Sequence, residues 1–183
     1  MDKNHYDLSD MQYPEEEQMT TDMQTLTELT GVEAPGLEYL LDMTAQLAPA
    51  QQIGDLGRGT RIIFPVTGGT FSGPRLRGRL AAPGGDWLTL RADGTGELDV
   101  RATFETDDGA FIYVSYRGYL TNVPALMPRY AAGETIRDGE SYFRITPYFE
   151  TAAPQYNWLT KTVTIGFGRL IPGGVGYRIF AVK

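Results

Sequence analysis

One stretch, Asp86 to Leu120, most narrows what this chain can fold into. It reads DWLTLRADGTGELDVRATFETDDGAFIYVSYRGYL, three runs rich in Val, Ile, Thr, Tyr, Phe and Trp separated by the turn signals ADGTG and TDDG. β-branched and aromatic runs broken by such turns make an antiparallel meander. The same grammar continues on both sides. Strands are expected over residues 61–66, 71–81, 86–90, 96–106, 110–120, 141–150, 156–170 and 176–182. Thr67–Gly68–Gly69, Pro83–Gly84–Gly85 and Pro172–Gly173–Gly174 read as turns between them. Some eight strands with frequent Gly turns and almost no helix after residue 50 imply an all-β sandwich or closed barrel. Residues 121–140 hold Pro124, Pro128, Gly133 and Gly139. A connection of that length serves as a lid, a binding loop or an interface arm.

The first fifty residues are of a different kind. They carry eleven acids and one base, a formal −10, while the remainder carries +3, which together give the chain's −7. We expect two parts: an acidic, partly helical arm over residues 1–50 and a β-barrel domain over 51–183. Residues 1–20 are rich in acids and poor in aliphatics, a composition that stays loosely ordered. A short helix is expected over 21–30, with Thr21 or Asp22 at its cap. A second is expected over 37–48, where Leu37, Leu40, Leu41, Thr44 and Leu47 fall at helical spacing. It would cover the barrel's outside or an open edge, plug one end, or pack on a partner subunit.

Several functions are disfavoured. An acidic chain with no dense Lys/Arg patch is not a nucleic-acid binder. No apolar run of about 18 residues exists, so no membrane span is expected. The N-terminus lacks the basic and apolar regions of a signal peptide, which makes the cytoplasm the expected location. There is no cysteine, and the single histidine, His5, lies in the polar tail. No His-based triad or Cys/His metal cage is therefore available, and neither a metal nor a cofactor is expected. Acid–base chemistry falls to Asp, Glu, Tyr, Lys or Arg.

The candidate chemistry lies on the central strands. If Asp108–Gly109 form a two-residue turn, Arg101 faces Tyr116, Thr103 faces Val114 and Glu105 faces Ile112. A one-residue slip exchanges these partners. Both faces mix polar and apolar groups. The Arg101 face is favoured for the interior, because a guanidinium there can clamp a carboxylate, enolate or phenolate. The alternative is an Arg101–Glu105 ion pair with a structural role. Asp86 is expected at the pocket mouth as a further acid–base group, with Trp87 against a flat ligand; a turn-capping Asp and a core Trp are the plainer reading. Tyr113, Tyr116, Arg144, Tyr148 and Trp158 complete the expected ligand contacts. The Gly-rich piece TGGTFSG precedes no helix and is not a phosphate loop.

Longer motifs carry a resemblance. FPVTGGTFSGPRLRGRL, PGGDWLTLRADGTGELDVRATFETDDGAFIYVSYRGY and YFRITPYFET with YNWL resemble the domain of unknown function family 3237, also called uncharacterised protein family 0311. The likeness runs from about Ile62 to Val182. It implies an antiparallel lipocalin-like β-barrel and a homo-oligomer, and it matches Asp86, Trp87, Arg101, Asp107, Asp108 and Arg144 to the family's polar motif positions. The family's biochemical role is unassigned, so the resemblance carries fold further than function.

Together these features point to a barrel that binds a small molecule inside it. The first expectation is an enzyme without metal or redox cofactor, acting on an aromatic or polyketide-like oxygenated compound by isomerisation, cyclisation, hydration or elimination. Arg101 would hold developing negative charge while Glu105, Asp86 or a tyrosine moves a proton. The alternative is a carrier or sensor barrel that binds without reacting.

Overall fold

The structure, a computed structural model, describes Glu28, Gly31 and residues 33–183. The loosely ordered tail and the helix expected over 21–30 lie outside the described residues, Glu28 excepted. The compact unit described below is Gly36–Lys183.

Among the described residues nine strands form one antiparallel sheet: β1 (Leu37–Leu47), β2 (Gln51–Asp55), β3 (Thr60–Ser72), β4 (Arg77–Leu90), β5 (Gly96–Thr106), β6 (Phe111–Leu120), β7 (Phe143–Glu150), β8 (Thr164–Ile171) and β9 (Gly174–Val182). Each strand from β3 to β8 pairs with its successor, and β1 pairs with both β9 and β3. Eight strands thus close into a barrel, and β2 hangs on β3 as a ninth. Closure leaves the eight without a free edge.

The helix expected over 37–48 is instead β1. Leu41, Met43 and Ala45 point into the core at a period of two, while Asp42 and Thr44 point out. A register shift between Tyr39 and Leu41 buries Leu40 and Leu41 together. That bulge turned an alternating pattern into one that reads as helical. The barrel therefore begins at β1, not at residue 51.

Of the three Gly–Gly pieces expected as turns, Pro172–Gly173–Gly174 does join β8 to β9, but the other two lie inside long strands. Thr67–Gly68–Gly69 is an irregularity in β3 between Val66 and Thr70, and Pro83–Gly84–Gly85 one in β4 between Ala81 and Gly85. They bend neighbouring strands at one corner of the barrel. Gly69 allows β1 to cross there. Its φ is +149°, and a Cβ on it would sit 2.0 Å from the Thr44 carbonyl oxygen.

The hairpin between β5 and β6 decides which side chains point inward. Its loop has three residues, Asp107–Asp108–Gly109, with the Thr106 N–H bonded to the Ala110 carbonyl at 2.9 Å and Gly109 at φ +83°. The two-residue turn expected at Asp108–Gly109 is thereby corrected by one residue. Arg101 pairs with Ser115, Thr103 with Tyr113 and Glu105 with Phe111. The inner face of β5 is Leu98, Val100, Ala102 and Phe104. On β6 it is Ile112, Val114 and Tyr116, as the residues suggested.

One end of the barrel is solid. Phe71 stacks on Phe104 with ring centroids 4.2 Å apart, and Phe149 meets Phe104 edge-on. A 3-10 helix over Pro154–Lys161, where a strand was expected, adds buried Leu159. At the other end the long connection folds as α1 (Val123–Ala131), which turns buried Val123 and Leu126 toward the core. No helix among the described residues is long and apolar enough to cross a membrane.

Candidate functional site

Beneath α1 the barrel is hollow. The cavity measures about 420 Å³. Its wall comes from alternate residues of several strands: Ile62, Phe64 and Val66 of β3, Leu88 and Leu90 of β4, and Leu98 and Val100 of β5. Leu120, Phe143, Leu170 and Val175 continue it, and Val123, Pro124, Met127 and Tyr130 of the α1 segment cover it. Among the described residues lining it there is no Lys, Arg or His.

Three polar side chains interrupt this apolar wall at its inner end: Asp86 of β4, Tyr116 of β6 and Tyr177 of β9. They arrive from separate strands by the same rule, since each holds an inward position in its strand. The Tyr116 and Tyr177 rings meet edge-on with centroids 5.5 Å apart. Burial raises the proton affinity of both hydroxyls, and each tyrosine acts on the other's. Phe143 packs edge-on against Tyr177 and fixes it from the far side.

Asp86 is the electrostatic centre of the site. The carboxyl has little access to bulk water, and burial pushes its pKa up to about 7. A hydrogen bond from the Asp99 N–H, 3.0 Å from Oδ1, opposes the rise. The Asp99 charge adds to it and the Arg61 charge subtracts. A carboxyl tuned this way is part acid, part carboxylate at neutral pH, which suits it to giving and taking a proton.

The other side chains singled out in the sequence lie elsewhere. Arg101 is on the outer face, 3.0 Å from Asp99 and over the Trp87 ring at 5.4 Å. Neither Arg101 nor Trp87 lines the cavity, because each has the parity of the outward positions. Glu105 is also outside, ion-paired with Arg79. Tyr113 and Tyr148 are exposed on the outer surface. Arg144 lies outside between Asp138, at 2.8 Å, and the Phe167 ring, at 4.1 Å. Trp158 belongs to the 3-10 helix at the solid end, with Arg75 stacked 3.6 Å over its ring. Of the nine candidates, only Asp86 and Tyr116 face the cavity. Tyr177 was missed, although VGYRI places it between inward Val175 and Ile179 at a period of two.

Comparison with known proteins bears on the whole barrel. The family described as Protein of unknown function (DUF3237) matches residues 35–182. The chain belongs to this family. The match begins just before β1, so β1 is part of the DUF3237 unit as well as of the barrel. A UPF0311 protein of Rhodopseudomonas palustris (strain TIE-1) is 35% identical over 134 residues, covering 72% of this chain and 88% of that protein. The crystal structure of a conserved protein of unknown function from Rhodopseudomonas palustris aligns with a TM-score of 0.77 at 30% identity, covering 83% of this chain and all of that one. A "Hydroalkoxylation enzyme phnH" of Penicillium herquei is 27% identical over 133 residues, covering 72% of this chain and 73% of that enzyme. A DUF3237 barrel is thus distantly related to an enzyme.

Proposed function

We propose that this DUF3237 chain is a cofactor-independent enzyme that adds a hydroxyl group across a carbon–carbon double bond of a neutral, largely apolar aromatic or polyketide-like substrate. One observation carries the reading: among the described residues lining a largely apolar cavity, a single carboxyl with a pKa of about 7 stands beside two tyrosines. The distant likeness to a hydroalkoxylation enzyme supports the reaction class. Among the described residues the lining offers no cation to offset a phosphate or carboxylate, and burying an unpaired charge is costly, which favours an uncharged substrate. A hollow of about 420 Å³ accommodates a small fused-ring compound.

The chemistry balances on Asp86 alone. Its protonated carboxyl gives a proton to one alkene carbon, and the π electrons form the new C–H bond. A hydroxyl oxygen of the same molecule attacks the cationic carbon and forms the C–O bond. The hydroxyl proton passes to the Asp86 carboxylate and restores the acid. Tyr116 and Tyr177 hold the substrate oxygen in line, since their hydroxyls are polar groups beside the acid.

The test is turnover of 2-prenylphenol and its naphthol analogue in D2O by wild type and Asp86→Asn. The reading expects a cyclic ether with one deuterium on carbon. It expects the rate to fall by roughly 10²–10⁴-fold in the variant. Equal rates in the two proteins, or an ether without deuterium, would contradict it. The apolar wall also suits a carrier; tight binding with no conversion of any oxygenated alkene would favour that reading instead.

A further inference from the structure

The Asp86 carboxyl is tied through the barrel wall to a charged cluster outside. The β4–β5 ladder runs through Gly85↔Arg101 and Asp86↔Val100, then resumes only at Thr89↔Glu97. In the gap, side chains take the place of backbone partners. The Asp99 N–H donates to Asp86 Oδ1 at 3.0 Å, and the Trp87 carbonyl accepts from the Arg61 guanidinium. Residue 99 therefore offers its amide to the acid within and its carboxylate to the outer face. There Arg101 lies 3.0 Å and Arg117 3.6 Å from the two carboxylate oxygens. The Asp99 side chain is 28% exposed, so water screens it only in part.

We propose that Asp99, Arg101 and Arg117 are positioning residues that set the proton affinity of Asp86 from outside the cavity. The electrostatic link stands on this geometry; its use in catalysis rests on the reading of Asp86 given above. The charged or titratable groups facing Asp86 are Arg61 from β3, Asp99 from β5, Tyr116 from β6 and Tyr177 from β9. The negative charge of Asp99 holds the Asp86 proton on. Two guanidiniums on Asp99 temper that effect, so the outer pair trims the acid without touching substrate. This gives Arg101, which lies outside the hollow, a bearing on the chemistry within it.

The experiment is a pH titration of the Asp86 carboxyl by 13C NMR in protein labelled at aspartate Cγ, with the resonance assigned by its loss in Asp86→Asn. It compares wild type, Asp99→Asn, Arg101→Met, Arg101→Lys and Arg117→Met. Asp99→Asn keeps the amide but loses the charge, so the Asp86 midpoint should fall by roughly one pH unit. Arg101→Met should raise it by roughly half a unit, Arg117→Met by less, and Arg101→Lys should restore it. Salt at 1 M should shrink these differences. Midpoints unchanged in every variant, or Arg101→Met moving the midpoint down, overturn the proposal. If Asp99→Asn does not fold, the exposed Arg101 and Arg117 variants decide. Shifted midpoints in a protein that converts no alkene would leave this link standing while the enzymatic reading falls. Turnover that needs Asp86, with midpoints unmoved, would do the reverse.

Discussion

Replacing Asp86 by Asn should stabilise the protein at pH 8 and leave its stability nearly unchanged at pH 4. The native carboxyl holds its proton to about pH 7, whereas an ordinary aspartate releases it near 3.8. Between those values the native state binds more protons than the unfolded chain, so Asp86 lowers stability as pH rises through that window. At about 1.4 kcal/mol per pH unit the full separation corresponds to a ceiling of about 4 kcal/mol above pH 7. Because part of the carboxyl surface opens onto the cavity, about 2–4 kcal/mol is the working expectation. Asn keeps an oxygen for the Asp99 N–H, so the hydrogen bond at 3.0 Å survives the change. The assay is urea unfolding of both proteins at pH 4 and pH 8, taking the difference between them so that every other titrating group cancels. A variant that is less stable at pH 8, or equally displaced at both pH values, would refute the premise that the Asp86 carboxylate is poorly solvated in the wall.

Three further outcomes follow from the fold. Val100→Trp should fill the hollow from β5 and abolish 2-naphthol binding by calorimetry while the far-UV circular dichroism stays that of the wild type. Arg178→Met breaks a bidentate pair with Asp42, both contacts 2.8 Å, across the β1–β9 seam. The loss in urea unfolding should be about 0.5–1 kcal/mol at pH 7, because the pair is half exposed. Arg178 holds the Asp42 carboxyl below its ordinary value, so the pair's contribution should fade as pH drops through that range. Gly69→Ala would force a Cβ to 2.0 Å from the Thr44 carbonyl at φ +149°. It should cost more than about 2 kcal/mol in thermal unfolding.

The all-β class and most strands were legible because period-two alternation survives in β5, β6, β7 and β9. Where it misled, a backbone irregularity had broken the count. The bulge at Tyr39–Leu41 made β1 look helical, and two Gly–Gly bulges looked like turns. The site depended on one further residue of this kind. A three-residue loop in place of a two-residue turn moved Arg101 and Glu105 to the outer face while leaving Tyr116 inside. Local propensity does not distinguish those two loops, since both accept Asp–Gly. Asp86 entered only as a group beside Trp87 after a Gly–Gly pair, where a turn-capping Asp was the plainer reading. Its grouping with Tyr116 and Tyr177 was out of reach, because the three lie on β4, β6 and β9 and meet only when the barrel closes.

The central claim is that the hollow beside Asp86 receives a neutral, apolar, oxygenated ligand. Intermolecular NOEs from 2-naphthol to protein labelled at Leu and Val methyls measure this most directly. We expect contacts to Leu88, Leu98 and Val100, with the Asp86 Cγ resonance shifting at saturation. Contacts confined to the outer face around Trp87 and Arg101, with those inner methyls silent, would contradict it.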